Sequence, residues 1–126
     1  MAHILVVDDV EGVRRSIAAG LTRAGHTVDE ADSGVSALST LRSVKPDLVI
    51  TDMLMPEMDG LDLIDEIKSG SAGPCPVLAI SGGGSFVSTG DALKVAETTA
   101  DGILEKPFDS TELDAAVRAL LAEVQK

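Results

Sequence analysis

Ile4-Leu5-Val6-Val7-Asp8-Asp9 is a run of four apolar residues ending in two carboxylates. The run is unbroken by polar alternation, so it reads as a strand buried on both faces, as in a parallel sheet. Working outward, the same kind of run recurs at Thr27-Val28 with Ala31, at Leu48-Val49-Ile50, at Val77-Leu78-Ala79-Ile80 and at Gly102-Ile103-Leu104. Amphipathic stretches separate them. The first helix is expected over Glu11–Ala24, with Val13, Ile17 and Leu21 at four-residue spacing and Gly25 as its stop. The second spans Gly34–Val44 behind a Ser33 N-cap, with Pro46 beyond its end. The third runs from Gly60 to Ser69 with Leu61, Ile64 and Ile67 on one face, and the fourth over Gly90–Thr99. The fifth starts after Asp109, where Asp109 and Glu112 suit a capping box, and carries the stripe Leu113, Val117, Leu120, Leu121 and Val124.

Five strands alternating with five helices give an α/β fold: a doubly wound, five-stranded parallel sheet with right-handed crossovers. The 126 residues suit one domain, 1–126, with no repeat or linker. Aromatic residues are 2% of the chain, so the core must be aliphatic. The net charge of −11 repels phosphate backbones, which excludes direct nucleic-acid binding and suits a divalent cation or a basic partner. No apolar run reaches the roughly 18 residues of a membrane span, and the N-terminus lacks the pattern of a secretory signal. The lone Cys75 cannot form an intrachain disulfide, and a cytoplasmic location is the simplest inference.

In doubly wound sheets, ligands bind outside the carboxyl ends of the strands. Just past strand one stand Asp8 and Asp9, past strand three Asp52, past strand four Ser81, and past strand five Lys106-Pro107. Three carboxylates at one sheet end need a counter-charge. A hard cation such as Mg²⁺ prefers carboxylate oxygens, and Lys106 adds a further positive charge. The set suits a phosphoryl group, with Asp52 as an in-line nucleophile forming an acyl phosphate and the Ser81 hydroxyl on a phosphoryl oxygen. His3 and His26 are far apart, lack metal-ligand spacing and read as structural or surface residues. Met53, Met55 and Met58 read as packing around the loop at Pro56. The run Gly82-Gly83-Gly84 lacks a following Lys-Ser or Lys-Thr and is no P-loop.

The stretches Ile4–Asp9, Asp47–Gly60, Ala79-Ile80-Ser81 and Leu104–Phe108 resemble the receiver domain of two-component response regulators, and the likeness covers the whole chain. It implies a flavodoxin-like (βα)5 fold with strand order 2-1-3-4-5. It implies that Asp9 and Asp52 ligate Mg²⁺ directly, Asp8 through water, and the Leu54 carbonyl besides. By the same resemblance Ser81 is the switch hydroxyl, Lys106 binds the phosphoryl group, and the Lys106-Pro107 bond is cis. The partners it implies are a histidine kinase or histidine phosphotransfer protein, and a downstream protein target on the surface of helix four, strand five and helix five. The chain would be a phosphoacceptor switch that assists its own phosphorylation and dephosphorylation, not an enzyme. It covers equally a single-domain signalling protein and a receiver excised from a longer regulator.

Three departures stand out. Ile103 occupies the place of the family's switch aromatic. The loop after Ser81 is longer than usual. Leu54 and Gly83 stand where polar groups often steer hydrolytic water. Two rival functions fit the residues less well. An aspartyl-nucleophile phosphohydrolase would carry an acid–base Asp two residues after the nucleophile, where this chain has Leu54. A phosphate-independent scaffold would have no need of the acidic triad or Lys106, and all are present.

Overall fold

The computed structural model describes residues 2–52, 63, 66–67, 75–82, 101–106 and 108–124. Five parallel strands form one sheet: β1 (His3–Val7), β2 (Thr27–Ala31), β3 (Leu48–Asp52), β4 (Val77–Gly82) and β5 (Gly102–Lys106). Their order is β2-β1-β3-β4-β5, as the resemblance implied. The described helices are α1 (Glu11–Arg23), α2 (Gly34–Ser43) and a C-terminal helix, Ser110–Val124. Leu63, Glu66 and Ile67 are also helical. The expected fourth helix lies outside the described residues.

The central strands bury both faces because their side chains alternate between two cores. Leu5, Val7, Val49, Val77 and Ala79 meet Ala37 of α2, Leu63 and Ile67 on one side. Ile4, Val6, Leu48, Ile50, Leu78 and Ile80 meet Ile17 and Leu21 of α1 and Leu113, Val117 and Leu120 of the C-terminal helix on the other. Among the described residues the buried members of both cores are aliphatic apart from Cys75, and half-buried Phe108 packs against the second. Leu63 is fully buried, outside the expected stripe of Leu61, Ile64 and Ile67. Ile67 is buried as expected, and Leu61 and Ile64 lie outside the described residues.

Helix ends follow their local chemistry. The Ser33 hydroxyl accepts from Ser36 N–H at 3.0 Å and starts α2. Asp109 and Glu112 cap each other's backbones: Glu112 N–H donates to Asp109 Oδ1 at 2.8 Å, and Asp109 N–H to Glu112 Oε1 at 3.3 Å. Gly25 ends α1 in the left-handed region, at φ 99°. Its N–H reaches the Thr22 carbonyl and that of His26 reaches Leu21, a Schellman closure. At the amino end of the sheet, two aspartates tie neighbouring strands together. The Asp47 carboxylate accepts from His3 N–H at 2.9 Å, and the Asp101 carboxylate from Val77 N–H at 2.8 Å.

One set of boundaries needs correction. Strands β3, β4 and β5 run two residues further than the apolar runs, so Asp52, Ser81 and Lys106 belong to strand ends instead of lying past them. The reason is the ladder. Thr51 and Asp52 pair with Ala79 and Ile80, and Ser81 and Gly82 with Glu105 and Lys106. Backbone pairing continues where a neighbour is in register, whatever the side chain.

Candidate functional site

Register alone assembles the acidic end of the sheet. In the β1–β3 pairing, Val7 stands opposite Thr51, so the next residue on each strand, Asp8 and Asp52, comes side by side. Asp8 is 1% exposed and Asp52 6%, while Asp9 is exposed. Ligand-capable oxygens of Asp8, Asp9 and Asp52 all lie within 4.8 Å of one another.

The turn carrying Asp8 and Asp9 is held from several sides. Asp8 N–H donates to the Ala31 carbonyl of β2 at 3.1 Å, which extends the β1–β2 ladder by one bond. Asp8 Oδ1 accepts from Val10 N–H at 2.9 Å, a short-range aspartate turn. Val10, the N-cap of α1, makes no side-chain cap bond of its own. The Thr51 hydroxyl, fully buried, donates to the Asp52 carbonyl at 3.0 Å.

Two buried carboxylates and one exposed one, this close, repel one another unless a cation joins them. The donor set is all oxygen, which selects hard cations. Octahedral Mg²⁺ holds its ligands at about 2.0–2.1 Å, so ligands on opposite sides are about 4.2 Å apart. A group spread over up to 4.8 Å fits that span if one carboxylate reaches the ion through water. The residues present therefore fit a magnesium site.

Of the expected site residues, the structure brings Asp8, Asp9 and Asp52 together. Ser81 and Lys106 are placed by backbone only, at the ends of β4 and β5, with Lys106 paired to Gly82. Leu54, Gly83 and Pro107 lie outside the described residues, as does the expected cis bond. His3 and His26 stay away from the cluster: His3 Nε2 meets Asp29 Oδ2 at 2.5 Å, and His26 Nδ1 accepts from Ala2 N–H at 3.1 Å. Cys75 is buried, its thiol 3.6 Å from the Pro46 carbonyl. Among the described residues no helix is long and apolar enough to cross a membrane.

The chain matches the model of the response regulator receiver domain over residues 4–118. It belongs to that family. Among curated relatives, the receiver is 37% identical over 119 residues to Response regulator MprA of Mycobacterium ulcerans, covering 94% of this chain and 50% of that protein. The chain thus spans about half the length of the curated relatives it matches. Among solved structures, NtrX from Brucella abortus is 34% identical with a TM-score of 0.88, over 98% of this chain and 28% of that one. A response regulator receiver domain protein from Clostridium thermocellum aligns end to end, over 99% and 98% of the two chains, at 28% identity and a TM-score of 0.87. The chemotaxis response regulator CheY4 of Vibrio cholerae is also 28% identical, with a TM-score of 0.82 over 95% and 98%.

The sequence reading missed Arg14, which packs into the acidic turn. Its Nη1 donates to the Asp8 carbonyl at 3.0 Å and its Nε to Glu30 Oε1 on β2 at 3.0 Å. The signal was present, since Arg14 shares a stripe with Ala18 and Leu21, the buried face of α1.

Proposed function

We propose that the chain is a single receiver domain, 1–126, that accepts a phosphoryl group on Asp52 from a phosphohistidine of a histidine kinase or histidine phosphotransfer protein. The observation that carries this is the convergence of Asp8, Asp9 and Asp52 at the carboxyl end of the sheet, with Asp52 on the central strand. An Asp52 carboxylate oxygen attacks phosphorus in line, the phosphorus–nitrogen bond to the imidazole breaks, and that nitrogen leaves with the electron pair. Asp8, Asp9, Asp52 and the Leu54 carbonyl would hold Mg²⁺, which would supply positive charge to the phosphoryl oxygens. The Lys106 ammonium and the Ser81 hydroxyl orient the remaining oxygens. The product is an acyl phosphate on the protein itself, so the receiver is a switch that assists its own phosphorylation and dephosphorylation. Phosphorylation changes affinity for a downstream protein, with the surface of the expected helix four, strand five and helix five as the docking face. The setting is cytoplasmic two-component signalling.

Asp52→Asn keeps the shape of the side chain and removes the nucleophile. With Mg²⁺ and acetyl phosphate, intact-mass spectrometry should show one added phosphoryl group on the wild type and none on Asp52→Asn. Equal labelling of both would remove Asp52 from this role.

A further inference from the structure

We propose that Arg14 is a positioning residue: it fixes the peptide joining Asp8 to Asp9 and so sets the aim of the metal-binding carboxylates. The inference rests on the magnesium reading above and extends it to a residue outside the acidic cluster.

The argument begins with a planar unit. The peptide between Asp8 and Asp9 is rigid, so the direction of the Asp8 carbonyl sets where the Asp9 side chain starts. Arg14 Nη1 holds that carbonyl at 3.0 Å. The preceding peptide is fixed as well, by the bond from Asp8 N–H to Ala31. Arg14 in turn is fixed by Nε on Glu30 and by its own N–H, which donates to the Val10 carbonyl at 2.9 Å. Its side chain is only 12% exposed. One flat guanidinium therefore spans the end of β2 and the turn after β1. Asp9 is exposed and lies among like charges, and is the member of the cluster with most to lose if the turn relaxes.

Simple charge neutralisation accounts for this arrangement poorly. Glu30 lies 3.0 Å from the guanidinium and Glu11 4.0 Å, so two carboxylates already answer its charge. What Arg14 adds is geometry. A lysine would keep the charge but, as a point donor on a flexible stem, would not hold both partners in one plane.

Magnesium titrations by calorimetry on the full chain, with metal-free melting by circular dichroism, test this. Arg14→Lys and Arg14→Met should each weaken Mg²⁺ affinity by about tenfold, the lower end of what outer-shell partners of metal sites are worth. Arg15→Met removes the same charge one residue along, from a side chain 70% exposed and paired, among the described residues, only with Glu11 at 3.3 Å, and should leave affinity unchanged. Arg14→Lys should melt close to the wild type without metal. Wild-type affinity in Arg14→Lys would overturn the proposal in favour of charge alone. An equal loss in Arg15→Met, or a loss found only in variants that have lost their fold, would overturn it too. Absence of Mg²⁺ binding in the wild type would instead bring down the magnesium reading, and this inference with it.

Discussion

Asp8 and Asp9 are neighbours with different structural duties, and the difference predicts how each responds to removal. Asp8 is buried and its carboxylate caps Val10 N–H, whereas Asp9 is exposed and no capping bond to it is seen among the described residues. Asp9→Ala should lower Mg²⁺ affinity about 100-fold or more, beyond the 10–100-fold typical of an outer-shell loss. It should also raise the metal-free melting temperature, because a like charge leaves the cluster. Asp8→Ala should show no such gain, since it also breaks the turn. Equal metal-free melting shifts in the two variants would contradict this division. Two glycines make a second contrast. A Cβ on Gly20 of α1 would meet only Arg23 Nη2 at 3.9 Å, so Gly20→Ala should stabilise by about 0.5–1 kcal/mol through helix propensity. A Cβ on Gly102 would stand 3.3 Å from methyls of both Leu78 and Leu120, which are packed in the core. Gly102→Val should therefore destabilise by about 1–3 kcal/mol, as overpacking does. Urea denaturation of the two variants checks both signs.

At the scale of elements, legibility in the sequence depended on whether a signal was local. The Ser33 cap, the Gly25 stop and the Asp109–Glu112 box are each set by residues within a turn of one another, and each is found as expected. Asp109→Ala should cost about 1 kcal/mol in urea denaturation, the usual value of an N-cap. The carboxyl ends of β3, β4 and β5 were not legible, because they depend on pairing with strands distant in sequence. Convergence of the three carboxylates was legible, since a parallel sheet brings every strand's carboxyl end to one edge. Arg14 was not recognised, because a sequence shows a charge on a stripe but not the carbonyl it will meet. β5 bears on how the proposed phosphorylation is read. Ile103 is half-buried and packs against the core on the α2 side, and its branched Cβ stiffens χ1. It cannot swing a ring between core and solvent. The proposed readout then falls to the segment after Ser81, which begins Gly82-Gly83-Gly84 and continues outside the described residues. Hydrogen exchange with and without a beryllofluoride mimic should change most between Ser81 and Leu93. An unchanged segment there, with β5 and the C-terminal helix responding, would refute this readout.

For the whole molecule, the net charge of −11 and the local acidic cluster are two separate sources of repulsion, and they respond to different ions. General repulsion among surface carboxylates is screened by any salt, over a length of about 10 Å at 0.1 M. The cluster of Asp8, Asp9 and Asp52 is too tight, and at two of its members too buried, for screening by monovalent ions to relieve it. A divalent ion bound there would relieve it, and by linkage would stabilise the fold that assembles the site. At a Mg²⁺ concentration 100 times the dissociation constant, the gain is about 2.7 kcal/mol. NaCl should therefore raise the melting temperature of the wild type and Asp9→Ala alike. MgCl₂ at matched ionic strength should add a further rise in the wild type and little in Asp9→Ala. The test distinguishes a site from a merely acidic surface, since only a site discriminates between two salts of equal screening power. Equal extra stabilisation of both proteins by MgCl₂ would mean that magnesium acts on the general charge and that these three carboxylates do not form its site.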